Sequence, residues 1–377
     1  MDQEQAGNTY DSTSSSSEEI IRRIVEEYEA GTPQFRLDEI MRVQHYVTRA
    51  VYYPITIPDF FGSPHQCKKE RNLDYKWLVS LETLEAAIAR VREVPRPDTA
   101  LRFYMLARQR GDPADALTNA ALGRFRLELS DHGRERVISG QLANDLVEDA
   151  RKRLAESEYF NSVLQPRGLE ILSSVGQHID NIICFELGTI EADEGNPLML
   201  NPDSCPSTSH HLFAIYIRDY LKENYGTSPA LIFQHLEYTD YTASILRGQG
   251  AIVIRNNTGG FHRITENTLV IWTGISTTDP TPVKQVIADF PFQQPTPLPL
   301  PITMVWPEEG DRPTTIQDVI RRIPQRDSLT DEVTLCSTED TPRTNQLHEG
   351  YNKHELPAAP IDDAFFGIPK LAIYTRK

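Results

Sequence analysis

The chain of 377 residues has little cysteine: Cys67, Cys184, Cys205 and Cys336 lie far apart, with no CxxC pair. That spacing points neither to a zinc ribbon nor to a disulfide framework, and it suits a reducing compartment. No apolar run approaches the roughly twenty residues that a membrane span needs, so no membrane span is expected. The opening MDQEQAGNTYDSTSSSSEE is acidic and serine-rich, without the cationic start and apolar core of a secretory signal. A cytoplasmic or nuclear location is therefore expected. Cationic excess is missing too: 38 basic against 54 acidic side chains give a net charge of −16. A surface built for phosphate backbones or anionic lipid needs the opposite balance, so nucleic acid is a disfavoured partner. GxGxxG, GxxxxGK[ST], GxSxG and HExxH are all absent. The usual support for an NAD oxidoreductase, a P-loop nucleotidase, an α/β-hydrolase or a zincin is gone, and no motif assigns a cofactor or a metal.

What is present centres on Ile179 to Asp240. An apolar run, Ile179 to Phe185, ends at Leu187-Gly188. A polar loop then leads to Ser207-Thr208-Ser209, where a helix can start. Leu212, Ile215, Ile217 and Leu221 put an apolar stripe on that helix, Gly226 stops it, and Ala230 to Phe233 is a second apolar run. Strand, helix and strand in so few residues predict a parallel, right-handed crossover. Thr239 to Gly248 reads as another helix, and Pro282 to Asp289 as a short one with proline at its start. Ala251 to Ile254, Leu269 to Trp272 and Ile302 to Trp306 read as strands. The fold class expected is α/β: a Rossmann-like open parallel sheet of about five strands, with helices on both faces and a helical N-terminal extension.

The ordered set FELG after IIC, HH-x8-DYL, IFQHLEYTD, GAIVI, ENTLVIW and PVKQVIADF resembles the SRR-like domain family, named for the plant Sensitivity to Red Light Reduced protein. The likeness spans roughly Val137 to Trp306. It is strongest to the fungal type, which also carries a segment similar to YEAGTPQF, here Tyr28 to Phe35. The resemblance implies a Rossmann-like core and a regulatory role inside the cell, with no settled chemistry. Where relatives show Gly-x-Gly at the first turn, this chain has Glu186-Leu187-Gly188, which weakens the case for a dinucleotide.

Four segments are expected: a disordered acidic tail over 1–17, a helical extension over 18–136, the SRR-like domain over 137–306, and a loose extension over 307–377. The second includes predicted helices over 37–50 and 77–91 and an arginine-rich stretch, Arg102 to Arg136, whose bland reading is a solvated linker. In the last, one helix is expected at Thr315 to Ile323, and Phe365 to Tyr374 is apolar enough to dock back as a strand or clip.

In open α/β sheets ligands bind beyond the carboxyl ends of the strands. That rule makes Glu186, His210, His235 and Asp240 candidate acid/base residues, and Gly188, Ser207, Ser209, Glu237 and Tyr238 candidate ligand-binding ones. The helix start at Ser207 to Ser209 offers unpaired N–H groups to an anion. Adjacent His210 and His211 cannot face the same way on a helix, so capping or packing is their default role. Cys184, within an apolar strand, is expected to be an inert core thiol. Two functions stand side by side: a regulatory protein that binds a protein partner or a small molecule, and an enzyme acting on a small anionic or nucleotide-like substrate.

Overall fold

The computed structural model describes residues 17–38, 140–190, 205–236, 238–256, 258–273, 282–308, 315–322, 340–358 and 370–377, with short strands and isolated helical positions between 41 and 130. Helix α1 (Ser17–Glu29) begins with Glu18 and Glu19, which suit the positive end of a helix dipole. Its buried Ile20, Ile21, Ile24, Val25 and Tyr28 pack with Leu84, Ile88, Val319 and Ile320 in a small satellite core. Helical positions at 37, 38, 41, 42 and 45 lie where a helix was expected over 37–50, and among the described residues of the N-terminal third there are also strands, which the expected helical extension did not include. Strands β1 (Ile55–Pro58) and β2 (Pro64–Cys67) form an antiparallel pair. Strands β3 (Lys76–Leu81), β4 (Met105–Ala107) and β5 (Phe125–Ser130) form a second sheet in the order β3-β5-β4. Two misreadings have physical causes. Trp77, Leu81, Leu84 and Ile88 fit a helical stripe, but Trp77, Val79 and Leu81 also alternate as a strand requires. Phe125, Leu127 and Leu129 alternate in the same way between Arg126 and Glu128, so the arginine-rich stretch holds strands and is more than a linker.

The main sheet has seven strands in the order β11-β12-β10-β9-β6-β7-β8. Their ranges are β6 (Asn181–Phe185), β7 (Ala230–Gln234), β8 (Ile252–Ile254), β9 (Thr268–Trp272), β10 (Thr303–Pro307), β11 (Tyr351–Glu355) and β12 (Leu371–Arg376). The five strands read from sequence are β6 to β10, and every neighbour among them is parallel. The sequence count of about five was short by β11 and β12 from the C-terminal segment: β12 pairs antiparallel with β10, and β11 antiparallel with β12. That segment is therefore not wholly loose. Strand β11, YNKHE, escaped notice because an edge strand needs no apolar run; its Lys353 reaches Glu308 at 2.8 Å.

Alternation along each central strand feeds two cores. Ile182 and Cys184 of β6, Leu231 and Phe233 of β7, and Leu269 and Ile271 of β9 face one side. There they meet α2 (Gly140–Glu156), the short α3 (Leu169–Ser173), α4 (Cys205–Tyr225) and α5 (Asp240–Gly248). Ile183, Phe185, Ile232, Val270, Trp272, Met304 and Trp306 face the other side. There they meet α6 (Val283–Ala288), α8 (Pro342–Glu349) and the N-terminal Phe35 and Leu37. Helix α7 (Ile316–Arg322) stands in the satellite core, where a helix was expected. Cys184 is a buried free thiol, its pKa pushed well up by burial, as its apolar strand implied.

The YEAGTPQF segment is tied to the second face by a buried network. Arg343 of α8 donates from Nη1 to Asp289 Oδ1 at 2.6 Å and from Nη2 to the carbonyls of Tyr28 and Thr32. Phe35 N–H donates to Asp289 Oδ2 at 2.8 Å, and Gln293 Nε2 donates to Phe35 O at 2.6 Å. The guanidinium carbon lies 4.0 Å from the Tyr28 ring and 4.4 Å from that of Phe292.

Candidate functional site at the carboxyl ends of the central strands

Strand β6 lies between β7 and β9, and the chain order reverses around it. Its last residue runs into Glu186, whose N–H donates to Gln234 O at 3.0 Å. Glu186 has φ +50°, the left-handed region that favours glycine, and Gly188 two residues on has φ +80°. Leu187 between them is fully buried and helps to hold the turn. A left-handed conformation costs an L-residue about 1–2 kcal/mol, so a carboxylate here is kept against a local penalty. Glu186→Gly is accordingly expected to be about 1 kcal/mol more stable than Glu186→Ala in urea unfolding, since only glycine relieves the backbone. Equal midpoints for the two variants would remove the strain from the account.

His235 prolongs β7, its N–H donating to Ile254 O at 3.1 Å. Its Nε2 lies 3.1 Å from Glu186 Oε2, with both side chains only 3% exposed. The contact is close but out of line for a well-directed hydrogen bond. The Tyr238 ring lies 5.1 Å from the imidazole of His235. Tyr238 in turn bonds His211 Nε2 at 2.7 Å, and His211 Nδ1 meets Ser207 O at 2.6 Å. A carbonyl can only accept, so His211 Nδ1 carries the proton and Nε2 accepts from the Tyr238 hydroxyl. Glu186, His235, Tyr238 and His211 thus form one buried chain of polar groups from the end of β6 to the first turns of α4.

Burial sets the charge states. It lowers the pKa of His211 to about 4, partly opposed by the Ser207 carbonyl. It lowers that of His235 to about 3, with His211 as a second cause. The neighbouring Glu186 carboxylate favours a charged His235, but removal from water outweighs one misaligned contact. Tyr238 is pushed well up, first by burial and then by Cys184 and Glu186. Both imidazoles are therefore neutral at physiological pH. An unfolded histidine titrates near about 6.5, so between that value and the lowered native ones the unfolded chain binds more protons. Stability is full above pH 6.5 and falls on acidification toward about pH 4 for His211 and about pH 3 for His235. The expected slope is about 1.4 kcal/mol per pH unit for each histidine. Urea unfolding from pH 7 to 5 checks this, and His211→Gln and His235→Gln should each flatten the slope.

The two adjacent histidines diverge, as helical geometry requires. His211 turns to β7, its ring 5.0 Å from that of Phe233, whereas His210 Nδ1 meets Thr273 Oγ1 beyond β9 at 2.8 Å. The start of α4 therefore bridges both neighbours of β6. Gln234 was missed by sequence reading because it ends an apolar run, although it is the one polar residue in ALIFQ. Its Oε1 accepts from Gly260 N. A Cβ on Gly260 would stand 2.6 Å from that oxygen and 2.9 Å from Phe185, so the approach requires glycine.

Of the residues singled out, Glu186, His235 and Tyr238 come together, and His211 joins them with more than the packing role assigned to it. Ser207 contributes its carbonyl, because α4 already begins at Cys205 and places Ser207 in the first turn. Ser209 is fully buried in that helix, and Gly188 shapes the turn after Glu186. Asp240 is instead placed at the start of α5, where it pairs with Arg255, its side chain 40% exposed. Glu237 lies outside the described residues. Among the described residues no group of three or more His, Cys, Asp or Glu is placed to hold a metal ion.

Fold and site together define an α/β protein with a mostly parallel sheet and a buried polar chain at its carboxyl edge. Among the described residues no helix is long and apolar enough to cross a membrane. No protein-family model matches the chain, and no curated protein or solved structure is significantly similar to it.

Proposed function

We propose that this chain is a regulatory, ligand-binding protein of the cytoplasm or nucleus, of SRR-like type, that takes a small molecule at the carboxyl ends of β6, β7 and β9. The observation that carries this reading is the convergence of Glu186, His235, Tyr238 and His211 beside the strand about which the order reverses. Ligands of open α/β sheets lie outside such a reversal. Counted from β6, the five parallel strands run 3-2-1-4-5, which supports a Rossmann-like core. The ordered sequence segments support the SRR-like assignment.

An enzymatic reading is favoured by one contact, His235 Nε2 to Glu186 Oε2 at 3.1 Å. A neutral imidazole beside a carboxylate can take a proton from a bound substrate, and the N–H groups at the start of α4 suit an anionic part of it.

Melting the full chain with nucleotides, amino acids, phosphorylated metabolites, tetrapyrroles and divalent metals tests both. A ligand at a hundred times its Kd adds about 2.7 kcal/mol of stability. The shift should vanish in Glu186→Gln and His235→Gln. Conversion of the hit compound by wild type alone would favour the enzyme. No shift with any compound would withdraw the small-molecule site and leave a protein partner, to be sought by pull-down.

A further inference from the structure

A second concave site lies away from the sheet edge, on the outer side of the α2 and α4 layer. It has a volume of about 350 Å³, within the range of small-molecule pockets, which is roughly 300–1,000 Å³. Its floor is apolar: Leu154 of α2, Phe160, and Leu212 and Ile215 of α4. Its wall is a stripe of α4, where Leu212, Tyr216, Tyr220 and Glu223 fall on one side at helical spacing. Phe160 meets Tyr216 edge-on at 5.0 Å between ring centroids, and Tyr220 meets Tyr225 at 6.2 Å, so both tyrosine walls are braced.

The charge in this groove is distributed unevenly. Arg151 is the only cation among the lining residues, and its Nη2 donates to Gln249 Oε1 at 3.0 Å. Asp219 is held by Arg218 at 2.7 Å. Glu223 makes no ion pair among the described residues, and its charge is close enough to Tyr216 to help raise the pKa of that phenol, after burial. An apolar floor, two phenol rings and an uncommitted carboxylate at the rim are the elements that hold an organic cation: hydrocarbon below, π faces beside the charge, and a counter-ion outside. The net charge of −16 favours the same sign of ligand.

We propose that the groove between α2 and α4 binds a small organic cation, an ammonium carried on an aromatic or short aliphatic body. This site is separate from the polar chain at the strand ends and does not depend on its function.

The test titrates the full chain by calorimetry with three compounds of one shape: phenethylammonium, neutral 2-phenylethanol and anionic phenylacetate. The ammonium is expected to bind about tenfold more tightly than the alcohol, and phenylacetate not measurably. Glu223→Gln and Tyr220→Leu, both at exposed or half-buried positions, should each weaken the ammonium about three- to tenfold, whereas Glu186→Gln should leave it unchanged. Added salt should weaken the ammonium and not the alcohol. Equal binding of alcohol and ammonium, an affinity untouched by Glu223→Gln, or no binding at millimolar concentration would each overturn the proposal.

Discussion

Asp289→Ala is expected to destabilise the fold by about 3–5 kcal/mol, the usual cost of leaving one charge of a buried pair without its partner. Asp289 and Arg343 are 1% and 6% exposed. One carboxylate oxygen takes the guanidinium and the other the Phe35 N–H, so the substitution releases α8 and the YEAGTPQF segment together. Asp289→Asn should cost less, because its side-chain oxygen can still accept one of these bonds. Combining Asp289→Ala with Arg343→Met should recover part of the loss, since the stranded charge is then gone and the aliphatic chain still fills the space beside Tyr28 and Phe292. Urea unfolding of the four proteins measures this. A loss below about 1 kcal/mol for Asp289→Ala would show that the network is not buried as described.

Removing Leu371 to Lys377 is expected to have a larger effect. Strand β12 lies between β10 and β11, so the truncation takes a strand from inside the sheet and leaves β11 with no partner. Leu371, Ala372, Ile373 and Tyr374 are all nearly fully buried, and they feed both cores. Losing a buried Leu or Ile side chain costs about 2–5 kcal/mol and an aromatic one about 3–5. Their combined loss rivals the whole stability of a typical domain, about 5–15 kcal/mol. The truncated chain should show no cooperative thermal transition by circular dichroism and should elute as aggregate, because the open edge of β10 invites pairing with other chains. A cooperative melt within a few degrees of the full chain would mean that the tail is an accessory.

The central strands were legible because burial on both faces demands continuous apolar runs, and IIC, ALIF, LVIW and TMVW each supply one. The tail LAIYT was legible as apolar, but its pairing with β10 was not, since nothing local specifies an antiparallel partner more than sixty positions away. The strands of the N-terminal third were lost because Trp77 and Leu81 of β3 also continue a helical stripe through Leu84 and Ile88, and because β5 carries Arg126 and Glu128 between its apolar positions. At the site, Glu186, His235 and Tyr238 could be named from the rule that places ligands at strand ends. The rotation of His211 toward Tyr238 depends on the azimuth of α4 over the sheet, which helical spacing alone does not fix. Asp240 was indistinguishable in sequence from a site carboxylate, because its partner Arg255 follows on a different element. The left-handed turn at Glu186 was hidden for another reason: a glycine announces such a turn, and here glutamate occupies it.

Hydrogen exchange on the full chain, with and without the compound that most raises its melting temperature, tests the strand-end site most directly. The site predicts that protection concentrates in peptides spanning Cys184 to Ile190, Ser207 to Leu212 and Gln234 to Thr242, and that His235→Gln abolishes it. Protection confined to Leu154 to Phe160 and Tyr216 to Glu223 would place that compound in the outer groove. With no change at the strand ends for any stabilising compound, the central claim would be contradicted.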